Sequence, residues 1–225
     1  MSYHYGEWGS AIEYETKLNE NLKENFNLLV NGQLPKEYIG GPIMQFLDSL
    51  PYTEGLPVSW RRKYTENIGF PLFAENWVKP LAKWIGDRPC LEVMAGSGFL
   101  SYALSLYGCN IKSTDNFTWF PRFNKIYYNV EQMDCIEAIE KYGKDVKFIL
   151  ISWPYMDNDA YRCLKTMRTI NPSCRMIYIG EDIGGCTADN LFFENLIECD
   201  VKSFREAVKK YRRWQGVSDS VWLIK

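Results

Sequence analysis

The chain has 225 residues, 46% of them hydrophobic and 24% charged, with a formal net charge of −2 and a pI near 5.6. That length and apolar content suffice to bury one substantial core. The acidic balance argues against a protein that holds duplex nucleic acid mainly through its phosphates, because such proteins carry a strong basic excess.

Seven cysteines, Cys90, Cys109, Cys135, Cys163, Cys174, Cys186 and Cys199, stand singly, with no C-x-x-C and one histidine in the chain. This spacing excludes a zinc knuckle and a disulfide framework, and the expectation is of reduced thiols in a cytoplasmic protein. No apolar run approaches the length that spans a bilayer, so no membrane partner is expected. Aromatic residues make up 16% of the chain, enough for some to line a pocket.

In chain order, Met1 to Ser10 reads as an aromatic, glycine-containing arm whose His4 is a surface residue rather than a general base. Ile12, Leu18, Leu22, Phe26 and Leu29 recur at helical spacing, which predicts a helix from Ala11 to Val30 closed at Asn31-Gly32. A short helix is expected from Gly40-Gly41-Pro42 to Leu50, and a loop from Pro51 to Pro57. Arg61-Arg62-Lys63, between Trp60 and Tyr64, reads as a solvated loop, with a grip on a phosphate or single-stranded base as the alternative. Phe73 to Ile85 is a helix closed by Gly86. Residues 1–70 lack the alternation of strands and helices that follows and are read as a helical N-terminal extension or lid, with residues 71–225 as the α/β domain.

The second part opens with Cys90 to Asn116, CLEVMAGSGFLSYALSLYGCNIKSTDN. A short apolar run containing Glu92 enters the small-residue turn Ala95-Gly96-Ser97-Gly98 and then a helical pattern. The next strand, Ile111 to Thr114, ends at Asp115. Glycines that let backbone approach a ligand, a helix start with unpaired N–H groups and a second acid suited to a ribose diol point to a nucleoside-containing ligand. A dinucleotide fingerprint would want a third glycine three residues after Gly98, where Ser101 stands.

Further strands are expected at Tyr127 to Val130, Val146 to Ile151, Arg175 to Ile179, Ile197 to Val201 and Ser220 to Ile224. Helices are expected at Cys135 to Tyr142, Asp157 to Ile170 and, as a basic segment, Phe204 to Trp214, with Asp157 capping the helix it opens. Val146 to Ile151 (VKFILI) is the continuous apolar run of a central parallel strand. The fold class is therefore α/β: a doubly wound, Rossmann-like, mostly parallel sheet with an antiparallel C-terminal strand, plus the helical N-terminal extension.

LEVMAGSGFL, Asp115 at the end of the second strand, Asp134 after the third and Ser152-Trp153-Pro154-Tyr155 after the fourth together resemble the class I S-adenosylmethionine-dependent methyltransferases over about residues 75 to 225. The resemblance implies S-adenosyl-L-methionine as cofactor, with the turn Glu92, Met94, Ala95, Gly96 and Gly98 passing its methionine moiety. It further implies that Asp115, with Asn116 beside it, holds the ribose hydroxyls, and that Asp134, with Cys135, contacts the adenine. Met94 stands where the family's turn has its first glycine, as is frequent in amino-methyltransferases of nucleic-acid bases, within a similar Ala-Gly-Ser-Gly. SWPY resembles the [Asp/Asn/Ser]-Pro-Pro-[Tyr/Phe/Trp] motif of enzymes that methylate planar amines, with Trp153 in place of the first proline. On that resemblance Ser152 and a carbonyl near Pro154 accept hydrogen bonds from the amine while Tyr155 stacks on the ring. Glu181, Asp182 and the loop Gly184-Gly185-Cys186-Thr187 are a candidate wall of the acceptor site, with a plain loop as the equal alternative. The methyl acceptor, whether a nucleic-acid base, a small molecule or a protein, is left open. A noncatalytic S-adenosylmethionine-binding module and a Rossmann enzyme using another nucleotide are the rival readings.

Overall fold

The computed structural model describes residues 11–37, 56–118, 123–214 and 216–225, without the side chains of 11–19 and 56–59. The arm bearing His4 and the short helix expected from Gly40 to Leu50 lie outside the described residues.

Strands β1 (Cys90–Val93), β2 (Ile111–Asp115), β3 (Val130–Gln132), β4 (Phe148–Ser152), β5 (Arg175–Gly180) and β6 (Ser220–Ile224) form one sheet in the order β3-β2-β1-β4-β5-β6. All neighbours are parallel except β5 and β6, which pair antiparallel from Met176↔Ile224 to Gly180↔Ser220. The doubly wound expectation is met, and chain order reverses between β1 and β4, the point at which such sheets open a crevice beyond their carboxyl ends.

The helices are α1 (Ala11–Val30), α2 (Leu56–Asn67), α3 (Glu75–Ile85), α4 (Phe99–Ser105), α5 (Cys135–Tyr142), α6 (Asp159–Ile170), α7 (Asn190–Asn195) and α8 (Lys202–Val208). They cover both faces of the sheet, and the period-2 alternation of the strands sorts the core accordingly. Leu91, Val93, Ile149, Ile151, Met176 and Tyr178 pack with α5, α6 and α7. Cys90, Ile111, Phe148, Leu150 and Ile177 pack with α3 and α4 on the opposite face. Glu92 alternates with Leu91 and Val93, so it faces the α4 side, where an acid needs polar company.

Leu22, Phe26 and Leu29 of α1 and Tyr64 of α2 belong to the same buried cluster as Trp77 and Phe99. Tyr102 Oη donates to the Gly32 carbonyl at 2.7 Å and the Ser97 hydroxyl to that of Ile68, so the described N-terminal segment is fastened to α4 and the glycine turn.

Four expectations are corrected. Arg61-Arg62-Lys63 lie within helix α2, where Arg62 pairs with Glu66 at 3.0 Å, one turn along, and Lys63 sits 4.9 Å from the ring centres of Phe26 and Trp60. Helix spacing creates these partners, and a loop would not. The third strand begins at Val130 because the Tyr127 amide is drawn away to the Ser97 carbonyl at 2.8 Å. Ile197 to Val201 forms an isolated antiparallel bridge, Glu198↔Ile224, in place of a strand. The Val201 amide turns back onto the Cys199 carbonyl at 2.9 Å and α8 begins at once, ending the pairing. The basic helix closes at Val208, short of Trp214.

Among the described residues no helix is long and apolar enough to cross a membrane and no cluster of His, Cys, Asp and Glu could hold a metal ion.

Candidate functional site

A cavity of about 290 Å³ opens beyond the carboxyl ends of β1, β2 and β4. Each of these strands leaves the sheet through a non-glycine residue in the left-handed region: Met94 (φ 55°), Phe117 (φ 56°) two residues past β2, and Trp153 (φ 53°). All three line the cavity; Ala188 is the fourth such residue among those described. A left-handed conformation costs an L-residue roughly 1–2 kcal/mol, and strain of this kind persists where surrounding structure enforces it, often at functional sites. At Met94 (φ 55°) glycine would carry no such cost, so the position holds a strained residue at the cavity wall.

Asp115 organises the turn. Its Oδ2 accepts from the Gly96 amide at 2.7 Å and its Oδ1 from the Phe117 amide at 2.6 Å, tying the end of β2 to the glycine turn after β1. A carboxylate offers about four acceptor positions, so two remain for a ligand's hydroxyls. Gly96 (φ 55°) needs its missing side chain twice over, since a Cβ there would meet the Phe123 ring at 2.9 Å. Backbone, Phe123 and Asp115 thus define a narrow slot.

Glu92 is 1% exposed. It accepts from the Ser101 amide at 3.2 Å, from the Ser101 hydroxyl, and from the Ser113 hydroxyl at 3.4 Å. Burial pushes its carboxyl up, the serine hydrogen bonds oppose this, and the result lies at about 7.

Of the residues expected to hold a cofactor, Glu92, Met94, Ala95, Gly96, Asp115, Asn116 and Cys135 line the cavity, as do the expected acceptor-side residues Ser152, Pro154 and Tyr155. Gly98 and Asp134 do not. Gly98 (φ 71°) precedes α4, and a Cβ there would come within 2.7 Å of Val130 Cγ2 and 3.1 Å of Tyr128 Cβ. Its visible role is to let β3 approach the turn. Gly98→Ala is expected to cost roughly 2 kcal/mol through the left-handed φ and the overpacking. Urea denaturation checks this, and an unchanged midpoint would refute it. Asp134 caps α5, accepting from the Ile136 amide at 2.8 Å.

Asp157, expected as a helix cap, lies two residues before α6. It accepts from the Asp159 amide at 3.0 Å and lines the cavity rim, and Asn158 occupies the cap position. Glu181 and Thr187 build the loop after β5 and do not line the cavity. Glu181 accepts from the amides of Ser218 (3.0 Å) and Cys186 (2.8 Å). Burial alone would raise its carboxyl, but these amides and the Arg61 charge outweigh it and hold the group below the usual range.

Among the cavity residues given no site role in the sequence are Phe70, Phe117 and Phe123, and the part played by the Trp153 side chain was not foreseen. The Trp153 indole stacks on Phe70 at 4.9 Å and 13° and donates to Asp219 Oδ2 at 3.1 Å. The only trace of this in the sequence is a tryptophan where the related motif has proline.

No protein family model matches the sequence, and no curated protein matches it. Solved structures are similar in fold. An S-adenosylmethionine-dependent methyltransferase from Archaeoglobus fulgidus is 14% identical, with a TM-score of 0.43 over 66% of this chain and 92% of that one. TehB from Haemophilus influenzae is 15% identical, with a TM-score of 0.43 over 73% of this chain and 66% of that one. A TehB-like S-adenosylmethionine-dependent methyltransferase from Corynebacterium glutamicum is 13% identical, with a TM-score of 0.40 over 68% and 89%. At such identities and TM-scores the likeness carries no argument about function, which has to be argued from the site.

Proposed function

We propose that this protein is an S-adenosylmethionine-dependent methyltransferase acting on an amino group of a planar acceptor. The observation that carries the proposal is the convergence of the Asp115-tied glycine turn and the SWPY segment on one cavity at the topological switch point.

The residues fit such a donor. Asp115 keeps acceptor positions for a ribose diol, Gly96 lets the Phe123 ring close over the turn as one wall of the slot, and Cys135 with Asn116 offers a wall for adenine. When bound, S-adenosylmethionine supplies an electrophilic methyl on a sulfonium. The chain's task is then largely positioning, which is worth on the order of 7–11 kcal/mol in favourable cases. Ser152 and the carbonyl near Pro154 accept from the amine and orient its lone pair, Tyr155 stacks on the ring, and Asp157 at the rim receives the proton that the nitrogen sheds. The N-terminal segment serves as a lid: Gly69, Phe70 and Pro71, where it joins the α/β part, line the same cavity.

The lining narrows the acceptor. Phe70, Phe117, Phe123, Trp153 and Tyr155 offer flat apolar walls, and the charged residues among the described lining are all acids, Glu92, Asp115, Asp157 and Asp159. This favours an uncharged or cationic aromatic amine over a phosphate-bearing acceptor.

The test is calorimetry with S-adenosylhomocysteine, followed by transfer of labelled methyl to a panel of aromatic amines, nucleobases, oligonucleotides and peptides. Binding with turnover on an amine is expected. Binding with no transfer to any acceptor would favour a noncatalytic module, and binding of NAD in place of S-adenosylhomocysteine would overturn the reading. Within the active enzyme, Ser152→Ala and Tyr155→Ala should each lower kcat roughly tenfold, the loss of about one hydrogen bond or stacking contact, and leave cofactor affinity unchanged. A parallel fall in both would make SWPY structural.

A further inference from the structure

We propose that Asp219, a residue outside the cavity, is a positioning residue for the acceptor side: it fixes the Trp153 indole and, through it, the turn that presents Ser152, Pro154 and Tyr155. The proposal rests on the methyl-transfer reading only in what it says of turnover.

An indole has a single hydrogen-bond donor, and that of Trp153 is spent on Asp219 Oδ2 at 3.1 Å. The Trp153 amide continues the sheet by donating to the Ile179 carbonyl at 2.7 Å, and the chain then turns through the left-handed region. Backbone and side chain are therefore pinned from two sides, by β5 and by the residue that precedes β6, with Phe70 stacked on the indole. Asp219 is itself 2% exposed and is held by the Tyr211 hydroxyl on the same Oδ2, while the Tyr211 ring meets Trp77 edge-on at 5.1 Å. A continuous path runs from the α3 core to the cavity wall: Trp77, Tyr211, Asp219, Trp153.

The cost of this arrangement speaks for a specific use. Among the described residues Asp219 Oδ1 is buried with no hydrogen-bond partner, a costly state for a carboxyl group. The other charged groups facing it are Glu181 at the end of β5 and Arg61 of α2, whose guanidinium carbon lies 5.7 Å from the Trp153 ring centre. Burial raises the Asp219 carboxyl, the Tyr211 and Trp153 hydrogen bonds pull it back, Glu181 raises it and Arg61 lowers it, leaving a net rise. Packing of Trp153 needs none of this, since an apolar residue at position 219 would fill space at less cost. What the carboxylate adds is direction: it sets the rotation of a planar wall, and misplacement of a reacting group by about 1 Å costs on the order of 100-fold in rate.

The experiment compares Asp219→Leu and Asp219→Asn with the wild-type full chain. The chain has eight tryptophans, so the Trp153 indole N–H resonance is assigned in the ¹⁵N-labelled protein by its loss in Trp153→Phe. In Asp219→Leu that resonance should move upfield, and the Trp153 amide, bonded to the Ile179 carbonyl, should exchange at least tenfold faster. Affinity for S-adenosylhomocysteine should stay within twofold, and kcat on any acceptor found should fall at least tenfold. Asp219→Asn keeps a carbonyl for the indole and should restore the resonance and most of kcat. An indole signal indifferent to Asp219→Leu overturns the proposal. So does a parallel loss of S-adenosylhomocysteine affinity, which would assign Asp219 to the fold as a whole, or a failure of Asp219→Asn to rescue. If the wild-type protein does not bind S-adenosylhomocysteine, the donor reading fails by itself, and the indole and exchange measurements still decide whether Asp219 holds Trp153.

Discussion

Replacing Asp115 with alanine is expected to weaken S-adenosylhomocysteine binding on the order of 100-fold, with the protein still folded. Hydrogen bonds to a charged group are worth about 1.5–3 kcal/mol each, and a ribose diol bound to this carboxylate would lose its acceptors. The same substitution strips the Gly96 and Phe117 amides of their partners, at 2.7 and 2.6 Å, so the slot beneath Phe123 loosens as well. Asp115→Asn separates the two contributions. Asparagine keeps one carbonyl oxygen but turns its NH₂ toward one of two amide donors, so an intermediate loss of about tenfold is expected. Calorimetry measures both. An affinity unchanged by Asp115→Ala would remove Asp115 from the binding site and with it the best reason for reading the ligand as a nucleoside.

Asp115 and the glycine turn also mark what the sequence could and could not reveal. β1, the glycine turn and Asp115 are close in sequence and follow local rules: an apolar strand, residues free to take positive φ, and an acid at the next strand end. Helix α1 and helix α5 were legible to the residue, because amphipathic spacing closed by Asn31-Gly32 and by Gly143 carries its own boundaries. The acceptor side was not legible in the same way. Trp153 meets Asp219 across 66 positions and stacks on Phe70 from the other direction, and no local pattern announces either contact. Glu181 and its loop could be a wall of the site, since they end a strand, or a plain loop; the amides of Ser218 and Cys186 draw the Glu181 carboxylate away from the cavity into the loop itself. Ile197 to Val201 has strand composition, yet strand formation there depends on continued pairing with β6, which the turn at Val201 cuts off.

The second large effect concerns Glu92 and runs against the usual behaviour of carboxylates in folded proteins. Its carboxyl, fully enclosed between β1 and α4, titrates at about 7 in the folded protein, against 4.5 as the ordinary value. Below pH about 4.5 the group is neutral in both states and contributes no pH dependence. Between there and 7 the unfolded chain releases the proton while the folded chain keeps it, so the folded state binds more protons and stability falls as pH rises. Above 7 the penalty is complete, on the order of 3 kcal/mol. Glu92→Gln mimics the neutral acid and can still accept from Ser101 and Ser113 through its carbonyl oxygen. The variant should therefore match the wild type near pH 4 and exceed it by about 3 kcal/mol near pH 8.5. Urea denaturation at the two pH values measures the difference, in which the contributions of other titrating groups cancel. A difference that stays flat would mean that Glu92 is charged in the folded protein throughout. The serine hydroxyls would then compensate for burial in full, and the acid at the floor of the cavity would act as a fixed negative charge beneath the bound ligand.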